Sequence, residues 1–395
     1  MRVPLLDLSE QYRALEKPIQ EAIAEVLRTQ HFVLGEKVDE FEQAICRYTG
    51  AKFAIGVSSG TDALLAILMA MGIGPGDAVI TTAYTFFATA GCIARVGARP
   101  IFVDIDPTTY NLDPRCLRTF LQTKTEKTSA GVTYQGHKIR ALVPVHLFGL
   151  CCEMEEIAAI AAEYDIPMIE DAAQAIGAEF PGASGGRQAG TMGHTGYFSF
   201  YPSKNLGAAG DAGLIVTNDK ALADQLRIIR QHGMEKRYFH GVIGGNFRLD
   251  ALQAAILRVK LPHLDAWSAA RRRVADAYGE EFRDAGLTSR VTLPTEPYRD
   301  RNVENHHIFH QYVIRAPLRD GLKEHLQEQG IGSAIYYPLG LHEQVCFSYL
   351  GYQHGDLPQT EAAARETLAL PIYPELTRDA QNHVVSAIAE FYRAN

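Results

Sequence analysis

The sequence predicts an α/β protein in two parts: a large domain over residues 1–250 on a mainly parallel sheet, and a smaller α+β domain over residues 251–395. Three observations lead there. From about residue 50 to 217, short β-branched runs alternate with helical ones, the pattern of a mainly parallel sheet covered on both faces. After a long helical stretch at 250–282 the texture changes to strand, helix, strand and two further helices. A chain of 395 residues, 47% hydrophobic, can also bury more than one core.

The elements follow in order. "KFAIGVSS" reads as a strand and "GTDALLAILMAMG" as the helix it feeds. "DAVITTA" and "RPIFVDI" are strands flanking the helix "TFFATAGCIARVG". "TKTEKTSAGVTYQGHK" is a polar excursion without legible chemistry, and "RALVPVHLFG" is the next strand. "EMEEIAAIAAEYD" is a helix; "IPMIEDA", "TGYFSFY" and "AGLIVTN" are strands. The stretch 250–282 reads as one helix joining the two parts. In the second part "HHIFHQYVIRA" alternates as a strand, "RDGLKEHLQEQG" is a helix and "SAIYYP" a strand. "TEAAARETLAL" and "RDAQNHVVSAIAEFY" are helices.

Composition excludes several classes. A net charge of −8 and a pI near 6.0 give no electrostatic reason to expect nucleic acid as a partner. The apolar run "ALLAILMAMGI" is too short to span a bilayer, and "MRVPLLDLSEQ" lacks the apolar core of a signal peptide. The six cysteines have neither metal nor disulfide-framework spacing, so a reducing cytoplasm is the expectation. "GIGPGD" lies between a helix and a strand, the wrong order for dinucleotide binding, and is a turn. "HHIFH" places His306 and His310 on one face of a strand and His307 on the other, a packed or substrate-side arrangement; no metal site is expected.

Parallel sheets bind ligands beyond the carboxyl ends of their strands, and three groups fall there. In "GVSSGTDAL" a strand runs into a helix start, which suits either a phosphate at Gly60 and Thr61 or an ordinary N-cap with nothing bound. In "IPMIEDAAQAIGA" a strand ends at Asp171, with Gln174 just beyond; the acid either caps a helix or meets a pyridine nitrogen and keeps it protonated. In "GYFSFYPSKNLGAAGDAG" a strand carrying Ser199 leads to Lys204, backed by glycines and alanines that leave room for a flat ring. Taken singly, Lys204 could be a solvated loop lysine. Together, in this chain order, a phosphate nest, a carboxylate, a serine and a lysine form a pyridoxal phosphate site.

Across nearly the whole chain, from "PLLDL" to "LPIYPELT", the sequence resembles the DegT/DnrJ/EryC1/StrS sugar aminotransferases, a branch of the fold-type I, aspartate-aminotransferase-like enzymes that use pyridoxal 5'-phosphate (PLP). The resemblance implies roles residue by residue. "SSGTDAL" brings Gly60 and Thr61 to the phosphate, and "YTFFATA" brings Phe86 onto the cofactor ring. "EDAAQAIGA" supplies Asp171 for the pyridine nitrogen and Gln174 for the ring hydroxyl. "FSFYPSKNLG" supplies Ser199 for the phosphate and Lys204 as the Schiff-base lysine. "GGNFRLDALQAA" supplies Asn246, which in the family reaches the phosphate of a neighbouring subunit, so a homodimer with shared sites is implied. Substrate contacts are expected from Tyr336, His342 and His310.

The activity so implied is transfer of an amino group from L-glutamate, released as 2-oxoglutarate, to a nucleotide-linked keto sugar. A UDP- or dTDP-3-oxo-hexose is favoured because "YYPLGLH…LPIYPELT" and the lysine loop look most like members acting at C3. A 4-oxo sugar is the alternative. Related PLP-type sugar dehydratases carry histidine where this chain has Lys204, and a non-catalytic PLP-binding protein would not need the complete residue set.

Overall fold

The computed structural model describes residues 1–129, 131–182 and 185–395. Two helices, α1 (Ser9–Thr29) and α2 (Glu36–Thr49), precede the sheet. Its strands are β1 (Phe53–Val57), β2 (Asp77–Thr82), β3 (Arg99–Val103), β4 (His137–Val143), β5 (Ile169–Asp171), β6 (Thr195–Ser199) and β7 (Gly213–Thr217). Between them lie α3 (Gly60–Ala70), α4 (Ala88–Arg95), α5 (Pro114–Lys124) and α6 (Met154–Glu163), and α7 (Lys220–Ile229) follows β7. Parallel bridges Leu142–Met168 and Val145–Asp171 join two ladders into the order β3-β2-β4-β5-β6-β7-β1. Only β7 runs against the rest.

The strands are buried on both faces, as their apolar runs require, except at the start of β4, where Lys138 is exposed. Ile55, Val79, Tyr197 and Ile215 pack on the side of α3 and α7. Their neighbours Ala54, Ile80, Phe198 and Leu214 pack on the side of α2 and α6. Inside that second layer Glu42 Oε1 accepts from Gly56 N at 2.8 Å and from Arg230 Nη1 at 2.5 Å, which pins the end of β1 to α2 and α7. The polar excursion folds as a hairpin of Glu126–Thr128 and Gly131–Tyr134 beside β4.

Four elements differ from the sequence expectation. The helix at 250–282 is two helices, α8 (Ala251–Lys260) and α9 (Leu264–Asp284), separated by a 3₁₀ turn at Leu261–His263. Pro262 lies in that turn, where its missing N–H interrupts the α-helical ladder. The run "HHIFHQYVIRA" is a strand only at β8 (Tyr312–Arg315). Its histidines lie in a loop, with Phe309 in the left-handed region at φ 42°, so no strand alternation sorts them. "SAIYYP" makes a single bridge, Ala334–Ala369, rather than a strand. "TEAAARETLAL" divides into α11 (Pro358–Glu366) and β9 (Thr367–Leu370), which pairs antiparallel with β8. All four β9 residues are buried, and tertiary pairing overrides the helical propensity of the run.

With α10 (Arg319–Glu328) and α12 (Arg378–Ala394), β8 and β9 enclose a second core around Tyr278, Phe282, Leu322, Leu368 and Ile388. Val3 joins this core and pairs with Ile331, so the first residues of the chain pack with its last third. No helix among the described residues is long and apolar enough to cross a membrane.

Candidate active site

The site forms where β6 and β7 reverse. Their connection, residues 200–212, contains no helix. It therefore stays at the carboxyl end of β6 instead of crossing the sheet. Lys204 N donates to Tyr201 O at 2.8 Å within a tight turn, and Ala208 N donates back to Phe200 O at 2.8 Å. Lys204 thus projects over the same sheet edge at which β5 delivers Asp171, since Tyr197 on β6 pairs with Asp171.

The helix start after β1 is pressed against this edge. A Cβ on Gly60 would lie 2.8 Å from Ser199 Cβ, and one on Gly213 would lie 2.4 Å from the carbonyl carbon of Ser59. Only glycine at both positions lets the turn approach so closely. Ser59 caps α3 by accepting from Asp62 N at 3.0 Å. The first helical N–H groups, of Gly60 and Thr61, have no protein partner among the described residues. A helix start with free N–H groups attracts an anion.

The resulting cleft has a volume of about 770 Å³, ample for a flat cofactor with a substrate beside it. Gly60, Thr61, Phe86, Asp171, Gln174, Ser199, Lys204, His310 and Tyr336 all line it. Phe86 is 58% exposed, an unusual position for an aromatic that had only packing to do. Two expected residues lie elsewhere. Asn246 is exposed on the turn that bridges to Gln231 and is not part of this chain's own cleft wall. His342 is buried behind the wall, its Nε2 3.2 Å from Glu361 Oε1, so it does not face the cleft.

Supporting residues complete the geometry. Thr89 Oγ1 donates to Asp171 Oδ2 at 2.8 Å, and Ala173 N donates to Asp171 Oδ1 at 3.2 Å. Gln174 Oε1 accepts from Phe148 N at 2.8 Å while its Nε2 donates to Tyr337 Oη at 3.2 Å. Sequence reasoning missed Thr89 and Tyr337. The i, i+4 pair Thr85 and Thr89 at the start of α4 was the available signal for the first; nothing in the sequence links Tyr337 to Gln174.

Two ionisable groups are perturbed. Burial lowers the Lys204 pKa from 10.5 to about 8, against the opposing pull of the Asp171 charge. Its Nζ has no hydrogen-bond partner among the described residues. Burial, with the Lys204 charge next, pushes His310 well below its usual value, so it is neutral. His310 Nδ1 lies 3.1 Å from Asn205 Oδ1, and Asn205 Nδ2 donates to Ile308 O at 3.0 Å. This network assigns the His310 proton to Nδ1 and leaves Nε2 an acceptor.

The sequence profile of the DegT/DnrJ/EryC1/StrS aminotransferases matches residues 13–389. The chain belongs to that family. Its members are PLP-dependent, and the fold is that of the fold-type I PLP enzymes. The chain is 50% identical to a Geobacillus stearothermophilus protein named pleiotropic regulatory protein, over 100% of this chain and 99% of that one. It is 39% identical to the UDP-N-acetyl-3-dehydro-alpha-D-glucosamine 3-aminotransferase of Acidithiobacillus ferrooxidans, over 98% and 97%. The crystal structure of a family aminotransferase from Brucella abortus superposes with a TM-score of 0.89 at 38% identity, covering 99% of each chain.

The depressed pKa of Lys204 gives a direct test on cofactor-stripped protein. Desolvation favours the neutral amine, so labelling of Lys204 by an acylating reagent, followed by peptide mass mapping, should rise with a midpoint near pH 8. Asp171→Asn removes the charge that raises this pKa and should move the midpoint lower. A wild-type midpoint near the ordinary 10.5 contradicts the geometry.

Proposed function

We propose that this family member transfers the amino group of L-glutamate to the carbonyl of a nucleotide-linked 3-oxo sugar, using PLP held by Lys204. The observation that carries the reading is a desolvated, unpartnered lysine facing Asp171 across a cleft with a free helix start at one side. That donor set fits the cofactor. Gly60 and Thr61 N–H with Ser199 Oγ suit its phosphate, Asp171 its ring nitrogen and Gln174 its hydroxyl, while Phe86 covers the ring face.

Bound PLP supplies an aldehyde that condenses with amines and a ring that takes up electrons from a bond broken beside that nitrogen. The rest is work for the chain. Asp171, fixed by Thr89 and Ala173 N, would face the ring nitrogen and favour a proton there. Lys204 Nζ would hold the cofactor and, when free, would act as the base that carries the proton moved during amino transfer. A pKa near 8 suits both roles close to neutral pH. Neutral His310 offers Nε2 as an acceptor, and Tyr336 closes the opposite wall; both are proposed substrate contacts. His342, hidden behind the wall, is not.

The 3-oxo choice is supported by the name of the Acidithiobacillus relative, which acts at that position. The name of the Geobacillus relative describes regulation and specifies no substrate. A cytoplasmic homodimer is part of the proposal. Exposed Asn246 adjoins a hairpin, Met234–Lys236 with Phe239–His240, whose Tyr238 and Phe239 are 76% and 68% exposed. Such a surface suits a partner subunit, and Asn246 is proposed to reach that subunit's phosphate site.

Assays with L-glutamate and matched 3-oxo and 4-oxo nucleotide sugars test the substrate. The 3-oxo sugar should react faster, and Lys204→Ala should lower turnover by at least about 10³-fold with either, since covalent anchor and proton shuttle are both lost. Preference for the 4-oxo sugar would overturn the choice of position. Mixing Lys204→Ala with Asn246→Asp subunits tests the shared site. Random exchange makes half the dimers mixed, each with one intact site, so activity should return toward about a quarter of wild type. No recovery after exchange verified by mass contradicts the shared site.

A further inference from the structure

A second cluster lies behind the cleft wall, away from the residues just described. Four side chains from residues 342–361 meet there: His342, Glu343, His354 and Glu361. His342 Nε2 is 3.2 Å from Glu361 Oε1. His354 Nδ1 is 2.8 Å from Glu343 Oε1 and 3.5 Å from Glu361 Oε2. One ligand atom each from His342, Glu343 and Glu361 falls within 4.8 Å of the other two. We propose that His342, Glu343 and Glu361, with a water molecule as fourth ligand and His354 bonded to the two carboxylates from outside, bind a single divalent cation of the zinc type, which staples the cleft wall to α11.

The distances support an ion at the centre of the group. Zinc bonds of about 2.0–2.1 Å to imidazole and carboxylate in a tetrahedral site put ligand atoms about 3.3–3.4 Å apart. The 3.2 Å between His342 Nε2 and Glu361 Oε1 is close to that value, and a Glu343 oxygen lies within 4.8 Å of the ligand atoms of both, so a movement of the Glu343 side chain would seat the ion. Ligand chemistry selects the metal. An imidazole with two carboxylates suits zinc, whereas calcium and magnesium prefer oxygen throughout. One carboxylate is already oriented, since Gly355 N donates to Glu361 Oε1 at 2.7 Å.

The position gives the ion a purpose. The segment from Leu339 to Leu357 has only short 3₁₀ turns, Leu341–Glu343 and Val345–Leu350, to stiffen it. Yet Leu339, Leu341 and Gln344 line the cleft. By contrast α11 is anchored on the sheet, because Asp104 after β3 accepts from Gln359 N and Thr360 N at 2.9 Å each. A cation joining Glu361 of α11 to His342 and Glu343 would transmit that anchorage to the wall. The ligands span twenty residues without a close Cys or His pair, which is why spacing alone did not reveal them.

The test uses PLP-loaded protein without a polyhistidine tag, stripped with a chelator, equilibrated with zinc and passed through gel filtration. Mass spectrometry of the metal should find about one zinc per chain. The double variant Glu343→Gln with His354→Ala alters the more accessible side of the cluster and should keep the wild-type circular dichroism. It should bind zinc at least tenfold more weakly. Zinc should raise the melting temperature of wild type and not of the variant. Cobalt in place of zinc should give the intense visible bands of a four-coordinate site. Wild type without zinc after gel filtration, or a folded variant that retains as much as wild type, overturns the proposal.

Discussion

Everything at the active site depends on the strand reversal between β6 and β7. A parallel connection would need a crossover helix and would carry residues 200–212 to the far edge of the sheet. The direct antiparallel return keeps that segment over the carboxyl ends of β5 and β6. Lys204 therefore faces Asp171 from a neighbouring strand end, and β7 arrives with Gly213 opposite both Ser199 and Val57. The small residues of this loop are consequences of that crowding. Gly213 lies under the Ser59 carbonyl and Gly60 lies against Ser199, so the helix start with its free N–H groups, the serine and the lysine loop share one tightly packed corner.

The electrostatics follow from the same placement. A lysine held at the foot of a cleft loses solvation, and its ammonium is disfavoured. Asp171 pulls the other way but does not restore the ordinary value, because burial is the larger effect. The same desolvation keeps His310 neutral, which avoids a second cation beside Lys204. One low-dielectric corner thus sets an amine of lowered pKa and a neutral imidazole beside Asp171 within one cleft.

Much of this could be read from the chain, for identifiable reasons. Ile55, Val79 and Ile215 belong to β-branched runs that a two-sided buried sheet demands, so the strands and the residues at their ends were visible. The residues proposed to face the cofactor sit at those ends and travelled with them. The second part was harder. Pro262 divides a run whose apolar pattern continues past it, and Thr367–Leu370 leaves a helical sequence because β8 offers a partner. His342 was expected at the sugar, but it lies within the short 3₁₀ turn Leu341–Glu343 with its Nε2 on Glu361, nineteen residues on. Helices α1 and α2 bury narrow stripes such as Val38, Phe41 and Ile45, a pattern outside the strand-helix alternation that carried the reading.

The central claim is that Lys204 anchors the cofactor in spite of other available amines. Lys260 provides a built-in control, since burial lowers its pKa to about 8 as well, yet it donates to Gly207 O and does not line the cleft. Reducing PLP-loaded protein with borohydride and mapping the pyridoxyl-bearing peptide by mass spectrometry separates the two. The account predicts a single modified site at Lys204, with stoichiometry near one per chain. Modification at Lys260 or at any other lysine in its place, with Lys204 left free, would contradict it.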